Sequence, residues 1–556
     1  VPTKKQVQDF GAETWSKGTE GRLNQVASHG RARIIDARYT KRGSLAPRPS
    51  WHRYGIGASG DFPVVVSTVS LSDLATFYVG KYKATLTSPI KSCLVIVEIE
   101  RITVYELPKW PTSATLPLIS NEVVPNSGSG NKFGHGHVTP VGDTEVLINT
   151  THIILREDPD TGDAITAIVG LGNIATAFTD PSSSVTINGS TVHAGRAYYF
   201  GEWNLSDGSL RHLHTPGRVI YSDPFDYTTF SSSDQYFDVD GEIAGMGAVG
   251  SNLFLWTKDG SWYVQQGQGD PDTSPLYNLG KFRINNREQQ VGVLNNSLIF
   301  EPSDGRAICT IGADATMDET TLGHLNQTHV SYLSDAPTIA EIDLSRPCIN
   351  PITDTATILS KGPYLTNHTN GVWTYERRPD WWDGRVAMLP DPVTGFEWAV
   401  VPVDIGGGDW VHHLYRRYAE YDKTAWLAYD RDYHEEVSAF VKLPRLDAPG
   451  HANIRVTAVT VDVGISSYTP AGVNRYHDPT MVVQAFTPSG LNTLIGNTPV
   501  EDYTDLPADI EARLRFTPNG VLPFNHFAEI VLHFTSMEVF KVSVEYEIQD
   551  RRDYDI

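Results

Sequence analysis

The chain has 556 residues, 40% of them hydrophobic and 20% charged, which is enough apolar material for packed cores and excludes global disorder; at ordinary domain sizes the length corresponds to roughly three to five units. The net charge of −22 opposes a grip on duplex DNA or an anionic membrane, because each phosphate contact needs a cation, although it leaves open a passage through which DNA slides. Forty-seven glycines, 34 prolines and 10% aromatics point to short strands joined by many turns.

Residues 1–34 read as a polar N-terminal arm, with VQDFGAETW supplying one or two helical turns before glycines interrupt it, and with no apolar core for a secretory leader. Strand signals dominate from Ile34 onward, in FPVVVSTVSL (62–71) and SCLVIVEIERITVY (92–105). Cys93–Val97 is the longest apolar stretch and far short of the ~20 residues of a membrane helix, so no spanning segment is expected. Cys93, Cys309 and Cys348 are odd in number and far apart, which suggests thiols in a reducing compartment rather than a disulfide framework.

Leu253–Tyr263 and Leu298–Ile308 share a pattern: an apolar triplet, a short stretch, Asp-Gly, then a second strand-like run. Each reads as a hairpin turning at Asp259-Gly260 or Asp304-Gly305, and the spacing fits the ~40–50 residue period of propeller blades. Weaker echoes run from Val372–Tyr375 to Asp383–Val386 and from Ala425–Tyr429 to Val437–Phe440. Near the C-terminus Phe540, Val542, Val544, Tyr546 and Ile548 alternate with polar residues, as in a strand with one buried face. The expected fold is mainly β: an arm (1–34), a β-rich region contributing early propeller or platform strands (35–135), a β-propeller core with insertions (136–450) and a C-terminal β-rich domain (451–556).

The local patterns that invite chemistry are weak. His135/His137 and His212/His214 could offer paired imidazoles, but no third ligand follows at a metal-site spacing, and Asp238–Glu242 opens like a calcium loop without its distal ligands. Trp373, Trp381 and Trp382 could stack on sugar rings, yet the carbohydrate-propeller turn is approached once only, at Thr257–Trp262. Ile405–Asp409 lacks the Lys-Ser/Thr of a phosphate cradle. Neither a catalytic residue nor a metal or other cofactor is expected.

The segment Gly217-Arg-Val-Ile-Tyr-Ser-Asp-Pro-Phe-Asp-Tyr-Thr-Thr-Phe230 resembles the arginine, strand, Ser-Asp-Pro, turn, Phe signature of phage tail nozzle proteins (tail tubular protein B), β-propeller proteins of short-tailed bacteriophages. Ile243–Met246 with VGSNLFLWTKDGSWYVQQGQGD is similar to that family's next hairpin, and Ile35–Trp51 to its early segment, with Ser50 in place of a glycine. Ala425–Leu427 with Val437–Phe440 is similar to its late blade, with His434-Glu435-Glu436 in place of Asp-Gly. The resemblance implies a structural virion protein, a homohexameric ring assembled in the host cytoplasm and placed at the distal end of a short tail. Such a ring would dock on the tail adaptor ring, and tail fibres or tailspikes are further partners; it would retain packaged DNA and conduct it at ejection without reading its sequence. The alternative is a tail-associated glycan-binding or glycan-cleaving propeller. In plain physical terms Pro224 ends the strand, Ser222 and Asp223 bond nearby backbone, and Phe225 follows in the turn, so this motif is read as structural.

Overall fold

The structure is a computed structural model and describes residues 3–19, 31–54, 64–67, 76–85, 87–97, 101–108, 115–123, 138–148, 151–156, 166–168, 184–206, 212–214, 216–232, 234–281, 291–294, 296–300, 309–315, 317–318, 348–350, 352–359, 364–377, 379, 386–406, 409–418, 437–450, 452–465, 480–496, 510–535 and 537–549. Strands such as Met481–Thr487 alternate buried and outward side chains, whereas Lys91–Val97, Asn252–Thr257 and Ser261–Gln266 are buried on both faces, and among the described residues the one α-helix is the single turn Ala12–Trp15. No helix there is long and apolar enough to cross a membrane.

Seven antiparallel ladders among the described residues follow one another along the chain, each built around four strands in simple succession; six are sheets of their own, and the one at 348–377 is joined through Ile35 to a larger, 16-stranded sheet. Blade 1 takes Thr76–Tyr82, Lys91–Val97, Arg101–Leu107 and Leu118–Val123; blade 2 runs from Val138–Gly142 to Thr166–Ile168. Blade 3 runs from Ser184–His193 to Tyr236–Asp238, blade 4 from Ile243–Val249 to Leu276–Lys281, and blade 5 from Gly292–Leu294 to Met317–Asp318. Blade 6 runs from Cys348–Asn350 to Val372–Arg377. Blade 7 has Ala387–Pro390, Phe396–Gly406 and Asp409–Tyr418, and its outer strand comes from before blade 1: His52–Arg53 and Val64–Ser67 both pair with 409–418.

That pairing closes a ring. From blade 2 to blade 7 the first strands of neighbouring blades approach one another, blade 7 returns to the first strand of blade 1, and blades 1 and 2 are joined by the Lys83–Arg156 β-bridge and a shared core. Each interface between blades has its own apolar core: Val95 with Ile153 (1/2), Leu147 with Tyr199 (2/3), Tyr221 with Leu255 (3/4), Phe254 with Leu298 (4/5), Ile299 with Trp373 (5/6), Leu365 with Val401 (6/7) and Leu94 with Trp398 (7/1). A sheet with two apolar faces must bury both, and a closed circle of blades does so without leaving an end blade uncovered. The protein is thus a β-propeller.

A second unit curls around the largest core. Its strand order is Arg33–Ile35, Ala439–Lys442, Phe527–Phe534, Met481–Thr487, Gly490–Gly496, Ile510–Pro518, Asn453–Ile465, Glu538–Gln549, Leu45–Pro47 and Ala37–Tyr39. Ala37–Tyr39 comes back to Ala439–Lys442, so the sheet closes like a barrel. Lys4–Phe10 adds an edge strand along 542–548. The barrel therefore draws on both ends of the chain.

Several expectations change here. Residues 4–10 form a strand, not helical turns, because pairing with 542–548 overrides local preference and Gly11 confines the helix to 12–15. The boundary drawn at 34/35 falls inside the barrel strand Arg33–Ile35, while that at 135/136 lies between blades 1 and 2, so both of its sides are propeller; of the 35–135 region, 37–47 belongs to the barrel, and His52–Arg53 and Val64–Ser67 complete blade 7. Val372–Arg377 pairs backward with Tyr364–Thr369 as the outer strand of blade 6, and Ala439–Lys442 is a barrel strand, so neither begins or ends a repeat hairpin. Phe540 sits in a bulge between the Lys541↔Asp462 and Val539↔Val463 pairs, which turns Val539 into the core and leaves Phe540 half-buried.

Candidate functional site

The Gly217–Phe230 segment is the third strand of blade 3 and the loop leading to its fourth. Ser222 is buried; its Oγ accepts from the Ala197 amide at 3.0 Å, and its own amide donates to the Ala197 carbonyl at 2.9 Å. The Asp223 Oδ1 accepts from Ser231 Oγ at 2.8 Å and Gln235 Nε2 at 2.7 Å, which ties the loop's start to its end. Pro224 is exposed at the bend. Phe225 has φ +59° and is 83% exposed, with its amide donating to the Gly195 carbonyl at 2.6 Å. Asp226 then forms an Asx turn; burial would raise its carboxyl, but donors from Thr228 and Thr229 outweigh that and lower it.

This loop is bolted to blade 4. The Tyr221 hydroxyl donates to Asp272, and His193 Nε2 lies 3.0 Å from the Gly267 carbonyl. Arg196 donates to the Ser222 carbonyl at 2.8 Å and lies over the Tyr221 ring. Burial pushes the Tyr198 hydroxyl up to about 12 and holds the His193 imidazole below its ordinary value.

At the blade 4 hairpin Gly260 takes φ +90° and its amide donates to Thr257 O, so the turn is a tight turn closed by a left-handed glycine, not a pair of left-handed residues. Asp259 accepts from Thr257, from Ser261 and, at 2.9 Å, from Lys281, and these donors hold its carboxyl well below the usual range. Ser297–Phe300 pairs with Cys309–Gly312 as the matching hairpin of blade 5; Asp304 and Gly305 themselves lie outside the described residues.

The other sequence candidates do not converge. His135, His137, Trp381 and Trp382 lie outside the described residues; His212–His214 is a short strand on 204–206. Trp373 is buried between blades 5 and 6 with His368 against its ring, so it offers sugar no platform. In the 238–242 turn Asp238 pairs with Arg218 and Glu242 with Lys258. Among the described residues no His/Cys/Asp/Glu group could hold a metal ion. Cys93 and Cys348 are buried thiols, and burial pushes Cys93 up to about 12.

Sequence reasoning missed the most elaborate polar feature, an ion network where blades 6 and 7 meet the barrel. Arg38 Nε lies 2.7 Å from Glu376, and Arg417 lies 2.8 Å from Glu376 and 2.6 Å from Glu397. All four side chains are at most 1% exposed. Trp51 covers the Arg417 guanidinium at 4.4 Å, and beside it Arg48 holds Asp36 at 2.9 Å. Burial alone would raise the Glu376 carboxyl, but the surrounding guanidiniums outweigh it and hold it at about 2. Asp36 goes the other way, raised because burial exceeds the pull of Arg48. The backbone joins here too: the Asp36 amide donates to Tyr375 O, and Ile35 pairs in parallel with Tyr375. The one sequence signal was a charge at strand positions flanked by buried residues, as in FEWAV and LYRRY. The arrangement welds propeller to barrel.

The first strands, which lie innermost in the ring, carry no Asp or Glu among the described residues; their ionisable cation sites are Lys81, paired with Asp143, and His193.

No family model matches the chain, and no curated protein matches it. Solved structures similar to it include BBS1N in complex with ARL6DN (8% identity, 63% of this chain and 94% of that one, TM-score 0.34) and BamB from Moraxella catarrhalis (10%, 69% and 97%, TM-score 0.31). Streptogramin B lyase is a third (10%, 62% and 99%, TM-score 0.33). The strand pairing and ring closure described above define this fold.

Proposed function

We propose that this protein is a structural subunit of a short phage tail: a nozzle protein whose copies form a ring that retains packaged DNA and conducts it at ejection. The observation that carries the reading is the Gly217–Phe230 segment, which resembles the nozzle signature and which serves as the organised third strand and loop of a propeller blade. The weld of propeller to barrel supports it, since a ring under the pressure of packaged DNA needs rigid subunits. The charge of −22 suits a passage that must not bind phosphate.

The test is negative-stain electron microscopy of the purified chain mixed with its candidate adaptor ring. Rings with a central hole docked on the adaptor are expected; single particles that never join the adaptor would overturn the reading.

A further inference from the structure

The outer face of the barrel is unlike the rest of this acidic molecule. In the hairpin Met481–Thr487/Gly490–Gly496 the inward positions Val483, Ala485 and Leu494 fill the core. The outward positions are also apolar: Val482 is 43%, Phe486 42%, Leu491 57% and Ile495 58% exposed. Phe486 and Leu491 stand directly opposite each other, and Gln484 pairs with Thr493 between the apolar ends. An ordinary half-buried hairpin would put charge at those positions.

The neighbouring strands do carry charge, and it cancels. Arg513 is bidentate to Asp462 at 2.6 and 3.2 Å, Arg515 holds Glu545, and Lys541 holds Asp9 at 2.8 Å. On the other flank Lys442 lies 2.6 Å from Glu529. The chain's excess of acid is therefore carried elsewhere. Two copies of a −22 protein repel wherever acidic surfaces meet, whereas a neutral face with an apolar centre and paired charges at its rim lets them approach.

We propose that this face, centred on the 481–496 hairpin, is where a second copy of the chain docks. The proposal rests on the ring reading and supplies one side of the head-to-tail contact that such a ring repeats. On the curved barrel a single partner meets the hairpin and its neighbour Ile510–Pro518, three strands or about 14 Å at ~4.8 Å each, over about 23 Å of strand length, with the paired charges of the next strands at the rim.

The test is sedimentation velocity on the full chain over a wide concentration range, beside Phe486→Glu and Leu491→Lys, with circular dichroism to confirm folding. Wild type is expected to associate, and each variant to weaken association at least about 30-fold, since each places a charge at the centre of the contact. Hydrogen exchange on unmodified protein is expected to slow at 481–496 as concentration rises. Wild-type assembly that both folded variants share, without protection of the hairpin, would overturn this surface and leave the ring reading standing. A wild type that stays monomeric, with hairpin exchange independent of concentration, would overturn docking of a second copy.

Discussion

Glu376→Gln tests whether the buried network carries the junction between ring and barrel. The substitution keeps the side chain's size but leaves two fully buried guanidiniums, Arg38 and Arg417, sharing the single carboxylate of Glu397. Two routes give its cost. Removing one partner of a buried ion pair costs about 3–5 kcal/mol. Independently, the depression of the Glu376 carboxyl from 4.5 to about 2 corresponds to about 3 kcal/mol of preference for the charged form. The expected loss is about 3–4 kcal/mol, read by urea unfolding through tryptophan fluorescence, to which Trp51, stacked on Arg417, contributes locally. Asp238→Asn, which breaks the exposed bidentate pair to Arg218, is the control and should cost at most about 1 kcal/mol. The double variant Glu376→Gln/Arg417→Met restores charge balance and should recover about 1–3 kcal/mol relative to additivity. A Glu376→Gln loss no larger than the control's, or strict additivity in the double variant, would refute the network's role.

Three further outcomes follow from named contacts. Gly217→Ala would set a Cβ 2.0 Å from the Val239 carbonyl oxygen and 2.7 Å from that of Gly241, both backbone, so expression of folded protein should fall sharply or stability should drop by more than about 3 kcal/mol, read by thermal melts. Stability should fall as the pH drops below about 6.5, because burial holds His193, His368, His413 and His533 below that value: each stays neutral in the fold and charges more readily when unfolded. A second fall belongs between 4.5 and about 2 as Glu376 protonates, while Asp36, raised by burial, opposes it; a urea midpoint flat from pH 8 to 5 would contradict the imidazole assignment. Finally, Cys93 and Cys348 should resist a thiol reagent at pH 8 in the native state and react on unfolding, because burial both shields them and suppresses the thiolate.

Local chemistry announced itself in the chain. The Asp259-Gly260 turn was legible because a left-handed glycine and a carboxylate facing nearby donors act within a few residues. Ser222 and Asp223 were legible as turn formers for the same reason. The alternation of 542–548 showed a half-buried strand, since a period of two needs no partner to be seen, though the bulge that swaps Phe540 for Val539 depends on the facing strand 453–465. Blade count, the closing strand from 52–67 and the barrel built from both chain ends were decided only in three dimensions, because pairing across hundreds of residues leaves no local periodicity. The same holds for Arg38, Glu376, Glu397 and Arg417: each reads as an ordinary surface charge until the folded chain encloses it, and only then does the electrostatic cost of burial make its partners obligatory.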